Sequence, residues 1–426
     1  MPGPRRPLLA APALARPTPR RLCRPGPDAH LLAALALAGI TAPACSKGRN
    51  EPAPSRPAQA ARELEAGRAS PPGGPPGAPA PPKAGPGRPR LTPRTSGTTQ
   101  RLQAISPVDA RVAWASGLGG TYALTTDGGT TWRARVVPGA EELQFRDVQG
   151  VSDKIAYLLA AGPGAASRVY KTADGGDTWK LQFQNQDPKA FYDCFAFWAP
   201  ARGLVVADSI EGRLPVLLTA DGETWRGPRD RPPAALPNEG AFAASGTCVA
   251  TQGERRAWVA TSGAERPRVL ATSDGGETWA AADAPIVGGS KSSGAATIAF
   301  RDRSHGLLGG GVLEAMKAPS NNVARSNDGG KTWQLATKSP FPGPIFGLSY
   351  ALDRARQAGS EGAPGGHEQL APAVVATGPG GAAWSADEGD TWTLLEGVDN
   401  YWAVAFADEH RGWLVGTEGR ILMVEF

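Results

Sequence analysis

The chain has 426 residues, with 45 Lys or Arg against 40 Asp or Glu, a formal net charge of +5 and a pI of about 9.1. The first 100 residues hold 15 basic and 4 acidic side chains, and residues 101–426 hold the other 30 and 36, so the body of the chain carries a net charge of −6. An acidic body offers no basic face to neutralise phosphates, which excludes nucleic acid as the expected partner.

Proline divides in the same way, with 22 of 41 in the first 100 residues, and such a segment buries too little apolar surface to fold. Within it Leu31 to Ala44 is uncharged and mostly apolar, follows Arg16, Arg20, Arg21 and Arg24, and ends at Cys45. The run is too short to span a bilayer and suits the core of a signal peptide. Ala42 and Ala44 before Cys45 resemble the cleavage site of bacterial lipoproteins, in which the cysteine is lipidated and becomes the mature N-terminus. The expected organisation is a signal peptide over 1–44 with an early start, a lipidated Cys45 opening a Pro/Ala/Gly-rich tether over 45–90, and a folded domain over 91–426. The resulting address is the cell envelope, as a periplasmic or outer-membrane lipoprotein. An ordinary cleaved signal followed by a chance cysteine is the alternative, and gives a secreted protein.

From residue 101 onward one short pattern sets the spacing. Thr125-Thr126-Asp127-Gly128-Gly129-Thr130-Thr131-Trp132 returns at Thr172 to Trp179, Thr219 to Trp225, Thr272 to Trp279, Ser326 to Trp333 and Ser385 to Trp392. The aspartates Asp127, Asp174, Asp221, Asp274, Asp328 and Asp387 therefore recur every 47 to 59 residues, the period of one four-stranded propeller blade with its loops. Asp followed by Gly makes a tight turn, because the carboxylate bonds nearby N–H groups and Gly accepts positive φ. The Ser or Thr two residues earlier bonds the same turn, and Trp132, Trp179, Trp225, Trp279, Trp333 and Trp392 supply flat surface to pack between blades. On this reading the boxes are structural hairpin locks, not ligand sites.

The pattern Ser/Thr-x-Asp-x-Gly-x-Thr-Trp resembles the Asp-box, or bacterial neuraminidase repeat, superfamily of β-propellers. That group includes sialidases, some endoglucanases, sortilin-type receptors and the photosystem II assembly factor. The copy at Asp221-Gly222-Glu223-Thr224-Trp225 is one residue short. After the last box, Tyr401 to Ala407, Gly412 to Gly416 and Arg420 to Phe426 read as three more strands, and Leu91 to Gly97 supplies a fourth from the other end. Closure by both termini removes sheet edges. The expected fold is all-β, a seven-bladed propeller closed by pairing N- and C-terminal strands in one blade, with six or eight blades as alternatives. Trp413-Leu414-Val415-Gly416-Thr417-Glu418-Gly419-Arg420-Ile421-Leu422 resembles the assembly-factor branch. Phe191-Tyr192-Asp193 with Phe197-Trp198, and Asn238 to Thr247, resemble its secreted bacterial members.

The resemblance implies a binding or assembly scaffold for a protein or glycan ligand, acting as a monomer and touching the membrane only through its lipid. The alternative is a glycoside hydrolase at the channel mouth, which needs two carboxylates about 5 to 10 Å apart. The Phe-Arg-Ile-Pro type motif with which sialidases open does not occur. Propellers place the starts of their innermost strands around the channel. Alignment of the repeats puts Arg101, Arg146, Asp147, Tyr192, Asp193, Glu239 and Tyr401 there, and the loop from Ala207 to Gly212 adds Asp208 and Glu211. These are the candidate ligand-binding residues, with Asp193 and Glu239 expected to share one mouth; solvated loop charges are the plainer alternative, and no catalytic residue is assigned.

His30, His305, His367 and His410 are scattered without metal-ligand spacing, and no glycine-rich phosphate loop or dinucleotide fingerprint occurs, so neither metal nor cofactor is expected. Cys194 and Cys248 fall in or beside inner strands of consecutive blades, where two readings stand: a disulfide, or two buried thiols. Polar excursions at Leu313 to Asn322 and Asp353 to Pro372 are candidate recognition loops.

Overall fold

A computed structural model describes residues 86–229, 234–352 and 372–426. The expected signal peptide, Cys45, the tether as far as residue 85, and residues 353–371 of the second excursion lie outside the described residues. The described residues form seven antiparallel sheets arranged as the blades of a propeller.

Blade 1 contains Leu102–Pro107, Ala113–Gly117, Thr121–Thr125 and Arg133–Val136, from the channel outward. Blade 2 follows with Phe145–Gly150, Ala156–Ala160, Arg168–Thr172 and Lys180–Gln184. Blades 4, 5 and 6 repeat this order from innermost strands Val249–Gln252, Ser293–Phe300 and Gly347–Tyr350. Blade 7 is built from both ends of the domain. Tyr401–Phe406, Arg411–Gly416 and Arg420–Glu425 are completed by Arg90–Thr95, which pairs antiparallel with the last of them from Arg90 opposite Glu425 to Thr95 opposite Arg420. The ring is thereby closed by hydrogen bonds between the first and last described strands.

Four strands in every blade is the expectation, and blade 3 departs from it. Tyr192–Ala199, Arg202–Ala207 and Val216–Thr219 form its sheet, and the shortened box is followed by a single bridge between Leu218 and Arg226. A box one residue short changes where the chain leaves the turn, and Pro228 lacks the N–H that a continuing ladder needs.

The boxes share one geometry. In blade 1 the Thr125 hydroxyl donates to Asp127 Oδ1 (2.9 Å) and accepts from Gly129 N–H (2.9 Å). Asp127 accepts from Thr131 N–H (2.9 Å) and from the Thr131 hydroxyl (2.6 Å). The other boxes repeat the carboxylate's bonds to the hydroxyl and N–H of the Thr before the tryptophan, for example Asp174 with Thr178 and Asp387 with Thr391. The tryptophans fill the seams between blades: the Trp132 ring lies 6.2 Å from Trp413 of blade 7, and Trp179 lies 5.1 Å from Tyr122 of blade 1. The residue preceding the box Thr often reaches back across the seam, as in Arg135–Asp177 (2.6 Å), Arg226–Glu277 (2.7 Å) and Arg325–Asp390 (2.6 Å). Such exposed pairs contribute at most about 1 kcal/mol each. Burial of the seams supplies the larger share of stability.

Candidate binding mouth of the channel

The innermost strands of five blades carry a β-bulge at the same height. The register skips one residue between Leu102 and Ala104, Phe145 and Asp147, Tyr192 and Cys194, Ala295 and Thr297, and Tyr401 and Ala403. The extra residues are Gln103, Arg146, Asp193, Ala296 and Trp402. A bulge re-aims the side chain it inserts, and Gln103, Arg146, Asp193 and Trp402 all line one cavity of about 560 Å³ at the channel mouth.

The floor of that cavity is a segment of chain. Residues Asn238 to Thr247, expected as the start of an innermost strand, instead run across the channel before blade 4 begins at Val249. The segment is tied to blade after blade: Gln103 Nε2 donates to the Ala244 carbonyl (3.3 Å), Arg146 to the Ala243 carbonyl (3.5 Å), Thr247 to Thr297 (2.8 Å), and the Ser245 hydroxyl to the Phe346 carbonyl. Two glycines let it lie so close. A Cβ on Gly240 would stand 1.9 Å from Asp208 Oδ1, and Gly246 has φ +72° with Asp147 Oδ1 2.3 Å from where its Cβ would be. Below the floor lies a second cavity of about 300 Å³. A disulfide joins Cys194 of blade 3 to Cys248 at the end of the segment, with Cα atoms 6.1 Å apart. The floor is thus held by hydrogen bonds on several sides and by a covalent bond on one.

Charge is distributed unevenly around the wall. Arg101 lies over the Trp402 ring, 4.7 Å from its centroid, and burial together with the nearby Arg146 lowers its pKa. Arg146 is held by Gln144 Oε1 through Nε (3.0 Å) and Nη2 (2.6 Å); burial lowers its pKa, against the attraction of Asp193. Asp193 is almost fully enclosed, and burial, then the neighbouring Asp208, push its carboxyl well above the ordinary range. Burial also raises Asp208 to about 6, partly offset by the Ala241 N–H that donates to Oδ1 (3.1 Å). Phe191, Phe242, Leu313, Met316 and Phe346 supply the apolar part of the wall.

The sequence candidates fall into two groups. Arg101, Arg146, Asp193, Asp208 and Glu239 all line the mouth. Glu239 does so with its carboxylate already occupied: it accepts from Arg268 Nε (2.9 Å) and Nη2 (2.5 Å), from the Thr261 hydroxyl (2.8 Å) and from Leu236 N–H (2.8 Å). Asp193 and Glu239 therefore share a mouth, but Glu239 braces the entry to the floor segment.

Asp147, Tyr192, Tyr401 and Glu211 do not line the mouth cavity. Asp147 follows its bulge and lines the lower cavity, its oxygens accepting from Val148 N–H (2.8 Å) and Phe195 N–H (2.9 Å), while burial raises its pKa well above the usual range. Tyr192 and Tyr401 precede their bulges and point into the core, where burial pushes the Tyr192 hydroxyl up to about 12. Glu211 sits exposed in a hairpin, 3.4 Å from Lys189. Missed by sequence reasoning were Gln103 and Trp402, two residues and one residue from the chosen Arg101 and Tyr401, and Phe242. Leu313 and Met316 belong to the excursion after Leu313, which did carry a signal. Among the described residues no group of three or more His, Cys, Asp or Glu could hold a metal ion, and no helix is long and apolar enough to cross a membrane.

No family model matches the chain, and no curated protein matches it. Among solved structures it is similar to YCF48 bound to D1 peptide, at 15% identity over 79% of this chain and 97% of that one, with a TM-score of 0.52. It is also similar to YCF48 from Cyanidioschyzon merolae, at 16% identity over 79% and 98% of the two chains, with a TM-score of 0.55. The WD40 β-propeller domain of Doa1 matches at 11% identity over 79% and 97%, with a TM-score of 0.49. At 15% and 16% identity, the likeness to the two YCF48 propellers is one of fold.

Proposed function

We propose that this protein is an exported, lipid-anchored Asp-box propeller of the photosystem II assembly-factor type, which binds a protein segment at its floored mouth and acts as an assembly scaffold. The observation that carries the reading is the ring of bulges. They turn Gln103, Arg146, Asp193 and Trp402 toward one cavity whose wall mixes aromatic, apolar and charged groups above a closed floor. A concave, rigid wall of that kind suits recognition of an extended segment, since its few polar groups set orientation while the aromatic surface supplies affinity. The peptide bound by one YCF48 neighbour supports the same class of ligand. Cys45 and the tether that follows would hold the propeller at a membrane while leaving it free to reach a partner.

A photo-crosslinking amino acid at Ser209, on the mouth, is expected to capture one or a few envelope proteins in intact cells. The same group at Leu181, exposed on the outer strand of blade 2, is expected to capture none of them; identical adducts from both positions would refute the reading. Cys45→Ala is expected to move the protein from the membrane to the soluble fraction. One observation favours a second reading: the elevated pKa of Asp208 suits a general acid. Hydrolysis of a polysaccharide panel that disappears in Asp208→Asn would replace the scaffold by a glycosidase.

A further inference from the structure

Two features of the mouth are left unexplained by the fold. The Asp193 Oδ2 atom is buried without a hydrogen-bond partner in a residue only 1% exposed on the cavity wall. A buried oxygen in that state costs about 1 to 3 kcal/mol, which selection tolerates where a ligand supplies the missing donor. Beside it Asp208 keeps one contact, from Ala241 N–H, and the chain opposite is a glycine that leaves room for its carboxylate. Among the described residues no Lys, Arg or His nitrogen lies within 4.0 Å of either carboxylate.

We propose that Asp193 and Asp208 together seat the ammonium group of a lysine side chain in the bound segment. The inference rests on the peptide-binding reading of the mouth. Charge counting favours it. Arg146 is the guanidinium that Asp193 feels, and it is spent on Gln144 and the Ala243 carbonyl, so two carboxylates face one partly engaged cation. Arg101 is on blade 1 over Trp402, Lys291 is on the loop before blade 5, and Glu239 is neutralised by Arg268. An ammonium with three donors can serve the free oxygen of Asp193 and Asp208 at once, whereas a neutral N–H would leave one negative charge unmatched. Phe191 and Phe242 on the same wall offer apolar surface to the lysine methylenes.

Binding should expel the proton that the crowded pair retains. With Asp208 titrating at about 6, affinity is expected to fall about tenfold between pH 7.5 and pH 5.

The test is calorimetric titration of the propeller with an acetylated, amidated pentapeptide Ala-Ala-Lys-Ala-Ala and its norleucine counterpart, at pH 7.5 and pH 5, in two buffers of different ionisation enthalpy. The lysine peptide is expected to bind at least tenfold tighter at pH 7.5, with proton release, and the preference should vanish in Asp193→Asn/Asp208→Asn. Near-UV circular dichroism shows whether that variant is folded, and Asp208→Asn alone, which keeps the buried Asp193 carboxyl, is expected to weaken the preference and to remove the loss of affinity centred near pH 6. Equal binding of both peptides, with loss of both in Trp402→Ala, would overturn the lysine seat and keep the peptide-binding mouth. Binding of neither peptide, together with no adduct from Ser209, would overturn both.

Discussion

Removing the disulfide tests how the channel floor is held. Cys194 and Cys248 close a loop with a sequence separation of 54. Loop-closure entropy for that length is about 14 cal/mol/K, which is about 4 kcal/mol at 25 °C. Both cysteines are fully buried, so Cys194→Ala/Cys248→Ala changes little surface and acts chiefly on the unfolded chain. Urea unfolding followed by tryptophan fluorescence should show the oxidised protein more stable than the double variant by about 4 kcal/mol, a midpoint shift of about 1 M for a slope near 4 kcal/mol/M. Wild type under reductant should unfold with the variant. Coincident transitions for all three would refute the bond. A large difference that survives reduction would show that packing of the two side chains, not the crosslink, stabilises the floor.

Asp208 makes stability depend on pH in a defined direction. Its folded pKa of about 6 exceeds the ordinary 3.8, so the folded state holds the proton longer, and this contribution to stability is full below about pH 4 and is lost as pH rises through 6. Asp208→Asn, which still accepts from Ala241, is expected to be more stable than wild type by about 3 kcal/mol at pH 7.5 and little different at pH 4; a pH-independent offset would refute the assignment. Glu239→Ala strands Arg268, whose side chain is 11% exposed, and is expected to cost about 3 to 5 kcal/mol in thermal or urea unfolding. Gly246→Ala forces a side chain into φ +72° and against Asp147, so a loss of about 3 kcal/mol is expected, and a neutral result would mean that the floor segment moves freely.

What could be read in the sequence divides along the range of the interactions. The box is complete within eight residues, because Asp127 bonds Thr125 and Thr131 in its own turn, so six copies reveal six turns without any tertiary knowledge. Closure was legible because the strands from Tyr401 onward lacked a fourth member and the stretch around Arg90–Thr95 was unassigned. The mouth was legible only to within a residue or two. A bulge is a property of two strands in register, and nothing local to Tyr192 or Tyr401 says that the side chain facing the channel belongs to Asp193 or Trp402. The floor was hidden for a related reason. Asn238 to Thr247 has the small and apolar residues of a buried strand, and its partners lie on five other blades.

Box and bulge also separate in their response to acid. The Asp174 carboxylate is held at about 2 by the Thr178 hydroxyl and N–H, then by Thr172. Its depressed pKa means that the turn keeps its stabilisation until pH falls well below 4. Asp208, desolvated in the mouth, titrates at about 6. Between pH 7.5 and pH 5 the blades therefore keep their locks while the acid side of the mouth loses charge. The bulge residues Gln103, Arg146, Asp193, Ala296 and Trp402 differ in chemistry from blade to blade, whereas all six boxes keep the same hydroxyl, Asp, Thr and Trp. A frame whose locks are local and acid-resistant lets each mouth position vary, or titrate, without loosening the ring that presents it.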